Sequence, residues 1–249
     1  MFPSHDQGGT NKALTDTDYW LLVGPTNAWK MFDNTTGTQT VSPVTIENTY
    51  TFTGIVDTVA LFNIDAGSVQ VIVKDSEGTE YFNETTSMTD NSGITDFWAY
   101  FFEPIIRKSD FIRLSLPNVL NPVITIKVMD TDSNISVGHT LFTRSTNVGI
   151  TRYRGSMRIQ DFSAVEFNEF GDPPTIVMRT YKKEGSFTVW CPANQQERVY
   201  NLFAGYRATP ILIVANEQYT NAIYFGIVSA EMVAENNRYV VISVTVKGF

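Results

Sequence analysis

The sequence predicts a mainly β protein: an N-terminal β-sandwich of jelly-roll type, then a helix-plugged β-barrel-like or α+β domain. Three observations carry this. Short runs of alternating apolar and polar residues recur from Tyr19 to Met129, separated by clusters of Gly, Pro, Asn and Asp. A single amphipathic helix signal stands out, at residues 194–206. A β-branched apolar run follows it at 211–215, too short for a helix and suited to a buried strand.

Taken in order, residues 1–18 are polar, contain Gly8-Gly9 and are predicted as a mobile arm. Strand signals follow at 19–23, 29–32, 38–41 and 44–50, with turns at Gly24-Pro25-Thr26-Asn27 and 33–37. Residues 54–62 are strongly apolar, and 68–74 alternate around Val69, Val71 and Val73. Asp75-Ser76-Glu77-Gly78 is a hairpin-type connection, so 79–83 pairs back. Residues 96–102 are dense in aromatics. Residues 111–116 and 123–129 alternate again, which closes a first domain at 19–135.

Polar turn residues at 130–134, then 137–139, mark a boundary. The second domain spans 140–249. Strands are predicted at 140–142, 150–153 and 162–170, with a firm turn at Gly171-Asp172-Pro173-Pro174. Residues 175–181 and 185–190 read as a hairpin with Lys182-Lys183-Glu184 at its tip. In the helix, Asn194 is the predicted N-cap, with Glu197 three residues on, as in a capping box. Val199, Leu202, Phe203 and Tyr206 share a face, and Pro210 marks the end. Strands at 211–215, 222–228 and 239–246 complete the domain; Val240, Ile242, Val244 and Val246 line one face of the last.

The formal charge of −8 argues against a nucleic-acid backbone or an anionic membrane surface as main partner. Cys191 is the only cysteine, so no intrachain disulfide staples the fold. Residues 1–10 hold no apolar run of secretory type, and no stretch is long enough to span a bilayer. A soluble chain made in a cytoplasm, without membrane insertion, is expected.

Catalytic patterns are sparse. Asp130-Thr131-Asp132-Ser133-Asn134 opens like a calcium loop, but the sixth and twelfth positions are Ile135 and Leu141, where Gly and Glu are needed. Only His5 and His139 are available for a zinc site or a triad, one in the arm and one in the boundary. Asp161 with Glu166, or Glu166 with Glu169, are candidate carboxylate pairs that ordinary turn chemistry also explains. Cys191, between Trp190 and Pro192, reads as a buried strand-end thiol. No enzyme, cofactor or metal site is expected. Among the aromatics, Trp20, Trp29, Trp98 and Tyr100 are able to stack on a sugar ring, against the ordinary role of filling cores or interfaces. Trp29, Trp98 and Tyr100 are the candidate glycan or partner contacts.

Several motifs resemble two-domain virion proteins of the tail or baseplate of tailed bacteriophages. They are Trp20, then Gly24-Pro25-Thr26-Asn27-Ala28-Trp29, then Met31-Phe32-Asp33; Val59-Ala60-Leu61-Phe62 followed by Ser68-Val69-Gln70-Val71; Phe167-Asn168-Glu169-Phe170-Gly171; Tyr206-Arg207-Ala208-Thr209-Pro210; and the closing Val244-Thr245-Val246-Lys247-Gly248-Phe249. The resemblance implies a galactose-binding-like jelly roll plus a second β-rich domain. It implies a non-enzymatic virion component, synthesised in the host cytoplasm. Its expected partners are copies of itself in a ring and other tail proteins, with host glycan as the alternative. It carries over no catalytic residue.

Overall fold

The computed structural model describes residues 4–6, 20–22, 24–33, 37–91, 94–104, 106–131, 134–152, 154–166, 175–178, 181–217 and 219–248. The chain is mainly β, with antiparallel sheets throughout, and divides into two compact units, Met1–Ser145 and Thr146–Phe249.

The first unit contains eight main strands: Thr40–Ser42 (β1), Thr45–Thr51 (β2), Thr58–Asp65 (β3), Ser68–Lys74 (β4), Glu80–Ser87 (β5), Phe111–Arg113 (β6), Val123–Met129 (β7) and Ile135–Thr143 (β8). One sheet has the order β6-β3-β8-β1, the other β2-β7-β4-β5. Successive strands thus alternate between sheets except at the β4–β5 hairpin, and β1 lies beside β8 while β2 lies beside β7. That nesting is the jelly-roll topology. Alternation sets the core: Val69, Val71 and Val73 of β4 and Ile124, Ile126 and Val128 of β7 point inward, against Val59 and Leu61 of β3. Phe32, Tyr50, Phe52 and Phe142 form an aromatic edge to this core, with Tyr50 and Phe142 centroids 4.9 Å apart. Burial there pushes the Tyr50 phenol up to about 12.

The second unit contains Ile150–Thr151 (β9), Ser156–Asp161 (β10), Tyr181–Pro192 (β11), Ile211–Val214 (β12), Ile223–Ala234 (β13) and Tyr239–Gly248 (β14). They form an open half-barrel of order β9-β11-β14-β13-β12, with β10 also on β11. Phe187, Val189 and Cys191 of β11 pair across to Val244, Ile242 and Val240 of β14, so one face is apolar. A helix, Gln196–Gly205, covers that face through Val199 and Phe203. Cys191 is buried there, as the sequence suggests, and burial raises its thiol pKa.

Several expectations change. The boundary expected at 135–140 lies inside β8, which pairs with β1 on one side and β3 on the other. The division falls after Ser145, because β8 is an inner strand of the first sheet. His139 therefore sits in a buried strand, opposite Phe62. Residues 29–32 belong to a 3-10 helix, Asn27–Phe32, whose Asn27 amide and carbonyl oxygen bond the backbone of Val41. Lys182-Lys183-Glu184 is no hairpin tip: these residues run inside β11, paired in turn with Gln160, Ile159 and Arg158 of β10. The helix N-cap is Gln195 rather than Asn194, with no side-chain capping bond, because a 3-10 turn, Ala193–Gln195, precedes it. Of the expected arm, Ser4–Asp6 pairs with Trp20–Leu22; residues 7–18, the end of the expected 162–170 strand and the expected 171–174 turn lie outside the described residues.

Close backbone approach in the half-barrel depends on glycine. Gly226 pairs with Gly248, and a Cβ on Gly226 would lie 2.1 Å from the Lys247 carbonyl oxygen. Gly226→Ala is expected to destabilise the protein by about 1–3 kcal/mol through overpacking. Gly205→Ala, at a helix end with nothing within 4 Å, should instead stabilise by about 0.5–1 kcal/mol. Opposite signs in urea melts check the pair. His139 gives a pH signature. Burial holds its pKa below the ordinary value, outweighing the hydrogen bond and charge of Asp33. Its protonated form is disfavoured in the fold, so stability should fall as pH drops below about 6.5 toward the folded pKa. Melts at stepwise lower pH should show that slope in the native protein and a shallower one in His139→Gln.

Candidate functional site

The loop between β5 and β6 carries the most unusual surface of the described residues. Its base is braced. Met88 is buried in the sandwich core, its N–H donates to the Gly67 carbonyl at 2.9 Å, and its carbonyl accepts from Lys108 N–H at 2.7 Å. A short ribbon, Thr89–Asp90 with Ile106–Arg107, then brings the two sides of the loop together. Arg107 ties the ribbon to the sandwich through ion pairs with Asp65, at 3.2 Å, and with the largely buried Asp130 carboxylate. Asp130, the first residue of the rejected calcium pattern, thus serves as an anchor for this loop.

Above the ribbon stands a six-residue helix, Phe97–Phe102 (α1), with the 196–205 helix as α2. The Asp96 carboxylate caps it by accepting from Ala99 N–H at 2.8 Å, and Glu103 N–H closes it on the Ala99 carbonyl at 2.9 Å. Only Ala99 is buried. Phe97, Trp98, Tyr100, Phe101 and Phe102 are between 65% and 84% exposed. At about 100° per residue the five rings sweep roughly 200° of the helix surface, with Ala99 opposite. They are mutually packed: Trp98 and Phe102 centroids lie 5.3 Å apart, and Tyr100 meets Phe101 edge-on at 5.2 Å. With roughly 150–250 Å² per aromatic side chain, about 700 Å² of ring surface is bare. The largest apolar patch on a typical monomer is about 300–600 Å².

The sequence candidates separate on this structure. Trp98 and Tyr100 share α1. Trp29 lies on the 3-10 helix, 53% exposed, with one side against Phe32 at 5.9 Å; among the described residues no ring contact joins it to α1. Sequence reasoning missed Phe97, Phe101, Phe102 and the brace at Arg107. The signal was present: an Asp cap ahead of five aromatics in six residues, without the polar partners that alternate along a half-buried strand.

The remaining candidates have ordinary roles. Asp161 accepts from the Ser163 hydroxyl at 2.7 Å and N–H at 2.8 Å, which holds its carboxyl below the usual range, the wrong direction for a general acid. Glu169 lies outside the described residues. A shallow groove at the ends of β2, β4 and β7 is lined by Val44, Glu47, Lys127 and Asp130; Lys127 pairs with Glu47 at 2.9 Å and Asp130 with Arg107. Among the described residues no cluster of His, Cys, Asp and Glu is arranged to hold a metal ion, and no helix is long and apolar enough to cross a membrane. No protein-family model matches the chain, and comparison with curated proteins and with solved structures returned no match.

The brace is testable. Arg107→Leu leaves the Asp130 carboxylate without its guanidinium partner. Amide exchange in 89–107 is expected to accelerate at least about tenfold, while exchange in β4 and β7 stays unchanged, as local opening requires.

Proposed function

We propose that this chain is a structural component of a bacteriophage tail or baseplate, assembling in multiple copies and contacting neighbouring virion proteins. The observation that carries the assembly role is α1: five bare rings on a loop held rigidly at its base. Aromatic side chains presented this way supply large contact area at little cost in side-chain entropy, which suits an interface anchor. The motif resemblance supports the virion setting. Both units add open sheet edges, β5 and β2 in one sheet and β12 in the half-barrel, where a neighbour's backbone finds partners.

A second reading, recognition of a host-surface glycan, draws on Trp98 and Tyr100, two exposed rings of the type that stacks on sugars. One set of measurements separates the readings. Light scattering of the purified chain over a concentration series, with negative-stain imaging, is expected to give a multi-copy particle, and virions carrying Trp98→Ser are expected to assemble poorly. Normal virion assembly with the variant, together with glycan-array binding that Trp98→Ala abolishes, would replace assembly by glycan recognition.

A further inference from the structure

The apolar face of the half-barrel extends beyond its cover. Directly opposite residues in an antiparallel pair lie on the same side of the sheet. Gly185 is on the core side, because a Cβ there would strike the buried Tyr224 ring. Its partner Met157, and by alternation Ile159 and Tyr181, therefore also lie on the core side. Yet all three are more than half exposed. α2 covers the sheet through Val199 and Phe203, around Phe187 and Val189, and among the described residues the strip along β10 and the start of β11 has no such layer. Two-stranded β-structure with bare apolar residues is marginal in water by itself.

The first unit has the opposite problem: α1 is a helix with rings and no sheet to cover. We propose that α1 of one copy of this chain docks on the β10–β11 strip of a second copy, where it does for that strip what α2 does for the core. This rests on the assembly reading above and names the surfaces it uses. Two observations select a second copy as occupant. The roughly 700 Å² of ring surface on α1 is close to the ~800 Å² that each partner buries in a standard interface. The charges offer a register: Asp96 and Glu103 stand at the two ends of α1, and on the strip's own face Lys183, opposite Ile159, attracts them while Asp161, opposite Tyr181, repels; exposed Arg154 lies just before β10, and Arg158 is on the other face opposite Glu184. Because knob and strip are different surfaces, the contact is heterologous and each copy offers both halves. Chains then add head to tail, closing into a ring or continuing as a filament.

The test uses full-length chains carrying exposed-residue changes. The knob variant is Trp98→Ser with Phe101→Ser, and the strip variant is Ile159→Asp; circular dichroism and melting temperature confirm that each folds. Alone, each variant is expected to associate at least about thirtyfold more weakly than the native chain, the size of a lost hot spot. Mixed, they are expected to form a one-to-one dimer that grows no further, because each retains the half the other lacks. A cysteine cross-link between positions 98 and 159 should run at the mass of two or more chains. Absence of the mixed dimer overturns the proposal, as does a cross-link at the mass of one chain. If the native chain forms particles that neither variant weakens, this contact is wrong and the assembly reading stands on other surfaces. A native chain that is monomeric at every concentration overturns self-docking, and virion incorporation then judges the tail reading separately.

Discussion

One aliphatic layer holds the first unit together. Val59 and Leu61 of β3 meet Val69, Val71 and Val73 of β4 and Ile124, Ile126 and Val128 of β7, all in the same buried cluster. Each such side chain contributes about 1.5–3 kcal/mol on full burial, so this layer is the dominant favourable interaction between the sheets. It also satisfies the geometry: with both sheets fixed, the two ends of every inter-strand loop are fixed. The loop between β5 and β6 inherits a rigid base from Met88 and from Arg107 on Asp65 and Asp130. α1 adds only Ala99 to the buried interior, so little of the core constrains the rest of that helix.

The energetics of α1 argue the same way. Leaving about 700 Å² of aromatic surface in water forgoes roughly 15–20 kcal/mol of transfer free energy, at about 25 cal/mol per Å². That exceeds the net stability of many domains, about 5–15 kcal/mol. A loop that merely connects two strands has no use for such residues; polar turn residues close it at no such cost. Asp96 capping Ala99, and the ring-to-ring contacts along the helix, add order to a surface that buries only one of its own side chains. Order and exposure together describe a preorganised contact, in which the entropy of arranging the rings is lost before binding rather than during it.

Much of the fold is legible in the sequence wherever one face is buried and the other wet. β4, β7 and β14 announce themselves by strict alternation, and the inward sets follow directly. α2 is legible because Val199 and Phe203 fall on one stripe. β8 is not, because it is covered on both sides: Ser136, His139 and Thr140 are buried along with Ile135 and Val137, so polar letters disguise an inner strand as a linker. The 182–184 run failed for a related reason. Three charged residues look like a hairpin tip, but β11 continues through them because β10 pairs with residues 181–186. α1 was legible only in part: its Asp cap and aromatic run were there to read, and Trp98 and Tyr100 stand among the expected contacts, but five aromatic letters in six carry no period, so neither the helix nor the exposure of Phe97, Phe101 and Phe102 follows from them.

An exposed knob and an uncovered strip on one chain constrain assembly more than either does alone. A self-complementary surface would pair copies once and stop. Two unlike surfaces propagate, and only the rotation between successive copies decides between closure and continued growth. Aromatic burial alone discriminates poorly, because any apolar surface of the right size will accept rings. The acidic residues at both ends of α1 repel a second knob, and on the strip Lys183 attracts them while Asp161 disfavours the far end, which supplies the register that burial lacks. With a net charge of −8, general repulsion between copies opposes random association, so a contact must bring positive groups to the acidic side of its neighbour. On that view the two surfaces divide the work, with ring burial providing the strength of each joint and the flanking charges its register and direction.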